Sequence, residues 1–267
     1  MRELLDIYAT QIKTSLATSF QYRMANLFWL IGMMVEPVIY LVVWSAVATS
    51  QGGQVAGYTA GGFAAYYIVW TLVRQMNIAL TPYEFEGRVQ RGELSPMLMR
   101  PVHPFHIDMA GFVGFKIVTL ILWVPVAAVL AWVFRPELDP TWWQALAFCV
   151  ALVTGYVMRF VLLWVLGMAT FWTTRVSAVF ELYFTLELLL SGRLVPLELM
   201  PAWVRRITDL LPFKWTFGFP IEVVLGRLSA REVLTGFAAQ AIWFAIGAAV
   251  LNLVWRAGVR RYSAVGA

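Results

Sequence analysis

Cysteine is nearly absent from this chain. The one thiol, Cys149, lies inside an apolar run, so no disulfide can form within the chain and redox compartment is left open. Charge is scarce too: 13% of the 267 residues are Asp, Glu, Lys or Arg, against about 25% in a soluble domain. No G-x-x-x-x-G-K-[ST] occurs, so the chain has no loop of its own to cradle ATP phosphates. The nearest look-alike, Gly111-Phe112-Val113-Gly114-Phe115-Lys116, has the wrong spacing and opens an apolar run. H-E-x-x-H and G-x-S-x-G are missing as well. His103 and His106 are too few for a zinc site, and with Pro104 between them they read as solvated loop residues. Catalytic and metal sites are therefore expected to be none. Repeats, low-complexity tracts and a second soluble domain are also lacking.

What the sequence has in excess is apolar. Hydrophobic residues make up 61%, aromatics 15% with 13 Trp, and mean hydropathy is +0.73. That composition predicts an all-α, polytopic membrane protein whose Trp side chains mark many lipid–water interfaces. A net charge of +5 and a pI near 9.5 fit Lys and Arg on cytoplasmic loops better than a nucleic-acid partner. The N-terminal stretch is polar through Arg23 and the first apolar run is too long for an h-region, so no cleavable signal peptide is expected.

A span needs roughly 20 apolar residues at about 1.5 Å each. Six windows qualify: 26–48, 60–81, 109–134, 142–171, 176–191 and 235–256, the fifth short. Basic residues in short loops place both termini inside: Arg2, Lys13 and Arg23 lead in, Arg88, Arg91 and Arg100 follow span two, Arg175 follows span four, and Arg256, Arg260 and Arg261 close the chain. Segment 192–234 dissents. It carries Arg193, Arg205, Arg206, Lys214, Arg227 and Arg231 on the outer side. Pro196, Pro201, Pro212 and Pro220 break any continuous span there, so short re-entrant helices with basic side chains snorkelling outward are expected. At the other end, Leu4, Tyr8, Ile12, Leu16 and Phe20 recur every four residues opposite Asp6, Lys13 and Gln21. Residues 1–25 thus predict an amphipathic interface helix on the cytoplasmic face, the alternative being a helix packed on a partner.

Four charges fall inside the windows: Glu36, Arg74, Arg159 and Glu187. Such groups are costly in lipid and face a bundle interior or cavity. Counted from the cytoplasmic ends, Glu36 and Arg74 lie about 10–15 Å deep, and Arg159 and Glu187 lie nearer the midplane. Matched depth predicts two ion pairs, Glu36–Arg74 and Arg159–Glu187, either holding helices together or lining a translocation path. Outside the spans, loop 82–108 is the largest polar cytoplasmic surface. Glu84, Glu86, Arg88, Arg91 and Glu93 mix both signs over about three turns, which suits a protein partner better than anionic lipid. Pro96, Pro101 and Pro104 are expected to end the helix and stiffen its exit.

Two stretches carry a family likeness: Arg91-Gly92-Glu93-Leu94 with Leu98-Met99-Arg100-Pro101, and Gly192-Arg193-Leu194-Val195-Pro196-Leu197 followed by Leu199-Met200-Pro201-Ala202-Trp203, Leu210-Leu211-Pro212 and Gly226. With six spans and both termini inside, the whole chain resembles the permease subunit of the type-2 ATP-binding-cassette (ABC) exporters, as a single transmembrane domain over 1–267. The resemblance implies a permease that pairs with an identical or similar permease on ABC ATPase subunits, in the cytoplasmic membrane and among its lipids. ATP and Mg would reside on the partner, leaving this chain without a cofactor and not itself an enzyme. It further implies an ATPase-coupling helix drawn from Glu84, Arg88, Arg91, Gly92, Glu93, Arg100 and Pro101. The amphipathic helix would sit beside it, and an external gate would be built around Gly192, Pro196, Pro201 and Pro212. The expected function is ATP-driven export of a lipid-, glycan- or drug-like substrate. The alternatives are an ion-coupled carrier, which would show inverted repeats, and a membrane-embedded transferase, which would need a clustered acid–base set.

Overall fold

The computed structural model describes residues 2–173 and 176–262, with the backbone alone at Arg2 and Glu3. Arg175, counted above toward the inner face, lies outside the described residues. The chain begins with two helices, α1 (Arg2–Gln21) and α2 (Arg23–Ser50), separated at Tyr22. Helix α1 runs along α6 (Pro104–Phe134) through Tyr8, Gln11, Ile12 and Ser15. The Ser15 hydroxyl donates to the Gly111 carbonyl at 2.8 Å. The expected every-fourth-residue stripe is therefore split: Tyr8 and Ile12 turn toward α6, while Leu4 and Phe20 stay exposed.

Helix α2 buries Leu30, Met34, Pro37, Leu41 and Ala48, one stripe at helical spacing, and exposes Phe28, Ile31, Val35, Ile39 and Val42 on its other faces. A helix apolar on every face with one packed stripe is what a bundle edge in lipid requires. A small antiparallel hairpin follows, β1 (Gln54–Val55) and β2 (Tyr58–Thr59), with Val55 paired to Tyr58. Its two-residue turn, Ala56-Gly57, has positive φ at both positions, as a type I′ turn demands. This hairpin is the one departure from the all-α reading among the described residues.

Helix α3 (Ala60–Asn77) is capped by the Thr59 hydroxyl and is the most enclosed of the long helices, buried from Phe63 through Thr71. Next come α4 (Thr81–Gln90) and α5 (Leu94–Leu98). The break between them lies at Gly92 (φ +72°), not at the prolines. Pro96 is the third residue of α5 and Pro104 opens α6, both first-turn positions where a missing N–H costs nothing. Helix α7 (Trp142–Gly167) starts with a Thr141/Gln144 capping box and ends in a 3-10 turn, Met168–Phe171. Helix α8 (Ser177–Leu190) has 14 residues, about 21 Å, less than the roughly 30 Å hydrocarbon core. Then come a 3-10 turn (Leu197–Leu199), α9 (Ala202–Leu210), α10 (Pro212–Thr216) and α11 (Gly218–Val224). Pro201 sits at the cap of α9, Pro212 opens α10 and Pro220 lies in the first turn of α11, so the segment is divided into short helices. Helix α12 (Ala230–Arg261), with a Ser229/Glu232 capping box, closes the fold.

Among the described residues, four helices are long and apolar enough to cross a membrane: α2, α6, α7 with its 3-10 extension, and α12. Helices α3 and α8 occupy the other two windows without meeting that measure. The interior has two aromatic clusters. One joins Tyr58, Phe63, Tyr66, Tyr67 and Trp70 to Phe148, Trp215 and Phe219; the other joins Phe85 to Phe160, Trp164 and Phe171, with Trp255 against it.

The turn at Gly92 generates a prediction. A Cβ in the left-handed region costs about 1–2 kcal/mol, so Gly92→Ala should lower the thermal unfolding midpoint. Gly32→Ala, in open space within α2, should hold or raise it, since alanine favours helix by about 1 kcal/mol. Thermal scans of both variants in detergent test the contrast, and equal midpoints would show that the turn is not constrained.

Candidate functional site

The loop region folds as a platform held from beneath. Phe85 of α4 and Leu94 of α5 are fully buried, with Phe85 edge-on to Trp164 and Phe171 at 5.1 and 5.3 Å between ring centroids. Arg88 turns inward, so it is not free to meet a partner as expected above. Its Nη1 donates to Asp108 Oδ2 at 2.8 Å, and its Nη2 lies 3.6 Å from Glu84 one helical turn back. Asp108 Oδ2 also accepts from Trp164 Nε1 at 3.1 Å, so one buried carboxylate ties α4 to α6 and α7. Burial works against the Arg88 charge, but the Asp108 hydrogen bond and charge outweigh it and raise its pKa. Burial pushes the Glu84 carboxyl above its ordinary value, with Arg88 opposing.

The outer surface of the platform belongs to other residues. Arg91 and Glu93 flank Gly92 and form an exposed bidentate pair at 2.7 and 3.0 Å. Met99, 87% exposed, stands with Arg100 and Pro101 at the tip. Seven residues were expected to couple, and they split accordingly. Glu84 and Arg88 face the Asp108 junction, while Arg91, Gly92, Glu93, Arg100 and Pro101 form the tip.

The histidines are not solvated loop residues. His103 Nδ1 accepts from the Phe105 N–H to cap α6, and its ring lies 4.3 Å from that of Trp255. Burial, with some repulsion from His106, pushes its pKa down to about 4. His106 Nδ1 is 3.1 Å from the Tyr8 hydroxyl and helps hold α1.

Deeper in the bundle, both expected pairs are present. Glu36 and Arg74 meet at 2.7 Å. Arg159 and Glu187 form a bidentate pair at 2.7 and 2.8 Å, with Glu187 wholly buried. Arg159 Nη1 also donates to the Asn77 carbonyl, and Arg74 Nη1 donates to the Met33 carbonyl at 3.3 Å. Arg193 joins the two pairs into one cluster, 3.6 Å from Glu187 and 3.9 Å from Glu36. It points inward with a side chain 15% exposed, which corrects the expectation that it snorkels outward. The cause is the turn at Gly192 (φ +87°), held against α3 by Tyr66 O–H donating to the Gly192 carbonyl at 2.7 Å and Tyr67 O–H donating to the Leu194 carbonyl at 3.1 Å. The Trp70 ring lies between Arg74 and Arg193, and the Phe217 ring between Arg159 and Arg193, each 5.2–5.7 Å from the guanidinium carbons.

Two participants were not placed in any site by the sequence, Asp108 and Lys116; the Lys116 Nζ donates to the Ile78 carbonyl at 2.8 Å and lies 4.4 Å from the Tyr156 ring centre. Lys116 thereby satisfies an open carbonyl at the end of α3, where a cation is favoured. It stands as far into its apolar window as Arg74 does, and the same depth count would have found it.

In the external segment, Gly192, Pro196 and Pro212 are buried while Pro201 is exposed. The hairpin is clasped to this segment. Tyr58 O–H donates to Glu198 at 3.2 Å, and the Arg227 guanidinium covers the Tyr58 ring and donates to the Gly57 carbonyl at 2.9 Å. Two cavities complete the geometry. One of about 800 Å³ lies between α1, α4, α5 and α6, bordered by Glu84, Arg88, Arg100 and Asp108. One of about 300 Å³ lies beside the charge cluster, bordered by Arg74, Arg159, Glu187 and Arg193. Trp29, Ile78 and Leu80 line both.

The cluster makes its members unequal. Losing Glu187 strands two guanidiniums, whereas losing Arg159 leaves Glu187 beside Arg193. Removing one partner of a buried pair costs about 3–5 kcal/mol, so Glu187→Gln should lower the unfolding midpoint more than Arg159→Gln. The opposite order in thermal scans would remove Arg193 from the cluster.

Compared with known families, residues 34–266 match the model for the ABC-2 family transporter proteins. No curated protein matches the chain.

Proposed function

The chain belongs to the ABC-2 family transporter proteins, multi-pass membrane subunits of ABC transporters that work with an ABC ATPase subunit, and from that premise we propose that it is an export permease docked on its ATPase through the 91–101 tip. The observation that carries this reading is the platform itself. Its outer face is polar, exposed and of mixed sign, while its underside is bolted to α6 and α7 by Phe85, Leu94 and the Arg88–Asp108–Trp164 junction. A partner that changes state can drive this chain only through differential contacts, and a rigid projecting surface converts those contacts into movement of the helices behind it.

In this reading the chain crosses the cytoplasmic membrane six times with both termini inside. Helix α3 is shielded from lipid by its neighbours, and α8 reaches the far side together with the segment that follows. That segment, α9 to α11, re-enters the outer leaflet and forms the gate with Gly192, Pro196, Pro201 and Pro212. A second permease, identical or similar, faces the Glu36–Arg74 side and encloses a path for a lipid-, glycan- or drug-like substrate. Nucleotide chemistry, with its Mg, belongs to the ATPase, and this chain is not an enzyme.

Co-purification tests the docking surface. Arg91→Glu combined with Arg100→Glu should cut recovery of the ATPase at least tenfold. Arg205→Glu with Arg206→Glu, at the opposite end in this reading, should leave recovery unchanged. Full recovery after the first pair of changes would place the contact elsewhere.

A further inference from the structure

The charge cluster is not balanced. Three guanidiniums, Arg74, Arg159 and Arg193, stand against two carboxylates, Glu36 and Glu187. Each nitrogen of Arg159 has an acceptor, in the bidentate carboxylate and the Asn77 carbonyl, and Arg74 holds Glu36 at 2.7 Å and the Met33 carbonyl through its Nη1. The surplus falls on Arg193. Its two carboxylate contacts are long, at 3.6 and 3.9 Å, and its Nε is buried with no acceptor among the described residues. A buried guanidinium short of acceptors is expensive, the more so in a segment surrounded by lipid. It also borders a cavity, about 300 Å³ in volume, whose other walls include Trp29, Tyr83, Phe184 and Phe217. A preformed, largely apolar pocket with one under-satisfied fork of donors is built for an anion.

The cavity adjoins a larger one. Trp29, Ile78 and Leu80 are shared with the larger cavity beneath α1, whose lining adds hydroxyls and amides such as Thr14, Ser15 and Asn26. A polar group therefore has a polar antechamber at the α4 end of the bundle and a positive charge at the inner end. The side chains of Trp29, Leu80 and Tyr83 at the rim are exposed and apolar, so a hydrocarbon tail can remain outside while the head enters.

We infer that the cavity beside Arg193 binds the anionic group of the transported substrate, a phosphate monoester or carboxylate, with Arg193 as its principal ligand. This rests on the permease reading for the word transported. The binding itself does not, and its test needs neither ATP nor the ATPase, so failure here and failure of the docking experiment are separate results.

The full chain in phosphatidylcholine nanodiscs is titrated calorimetrically with lauryl phosphate, inorganic phosphate and dodecyltrimethylammonium. Lauryl phosphate should bind saturably at one site per chain, and the cationic amphiphile should not bind there. Arg193→Gln should weaken lauryl phosphate at least tenfold, and Arg193→Lys, which keeps the charge, by less than Arg193→Gln. Glu36→Gln enlarges the surplus and should tighten binding, which keeps the proposal testable if the Arg193 variants fold poorly. Inorganic phosphate binding as tightly as lauryl phosphate supports the anion site and assigns it to a free solute; much weaker binding supports it and assigns the site to an amphiphile's head. Unchanged affinity in Arg193→Gln, weaker binding in Glu36→Gln, or equal binding of the cation overturns the proposal.

Discussion

The bidentate contact between Arg159 and Glu187 is the interaction on which the arrangement of the bundle depends. Glu187 has no exposed surface, and a carboxylate in that position is tolerable only with its counter-charge in hydrogen-bonding distance. Of the other α8 side chains only Phe180 is fully buried, while Tyr183 and Phe184 pack half-buried against Phe213 and Tyr83. The ion pair is the charged contact that ties α8 to α7. The same carboxylate attracts Arg193, which fixes where the chain must turn after α8, and the Gly192 turn supplies that geometry. The Asn77 carbonyl, which takes a further donor of Arg159, sits at the last residue of α3. The pair and the donors around it thus join α3, α7, α8 and the start of the external segment at one point.

The second constraint joins this interior to the platform. Helix α3 ends at Asn77 and α4 begins at Thr81, leaving three residues between them. Within those three, Ile78 accepts from Lys116, and Leu80 walls both cavities. The platform is bonded separately to α6 by Asp108 and to α7 by the same carboxylate's contact with Trp164. Trp164 stands five residues beyond Arg159 on α7, about 7.5 Å along the axis. A displacement of α4 must then either break a buried, charge-assisted junction or carry α6 and α7 with it. Carrying them is cheaper, because the broken junction leaves a carboxylate stranded.

The two expected ion pairs were legible in the sequence because a helix converts residue count into depth at a fixed rise. Glu36 and Arg74, and again Arg159 and Glu187, could be matched by counting. Arg193 could not. It follows a left-handed glycine in irregular chain, where position along the sequence says nothing of depth, and its basic neighbours suggested a solvated face. Lys116 lay inside an apolar window and was open to the same count, but its glycines drew it into comparison with a phosphate loop. The prolines of the platform misled for a local reason. Proline breaks a helix interior yet favours a first turn, and only the chain path shows which position Pro96 and Pro104 occupy. The amphipathic N-terminus was readable as a helix, but the face it buries depends on α6, and no periodicity within 1–25 encodes that partner.

Arginine rather than lysine in the cluster has a physical consequence. A guanidinium is planar, so it can lie against an aromatic ring while its edges hold carboxylates. Here the rings are shared: Trp70 serves Arg74 and Arg193, and Phe217 serves Arg159 and Arg193. Each ring thus offers partial solvation to two guanidiniums, which a single isolated ion pair in lipid would lack. In the chain of alternating partners, Arg74 to Glu36 to Arg193 to Glu187 to Arg159, the two Arg193 links are the long ones, at 3.9 and 3.6 Å, so Arg193 is the member that another acceptor could engage while both carboxylates keep their closer partners. Lys116, compact and bound to the Ile78 carbonyl, lies outside that chain of partners and ties α6 to the end of α3.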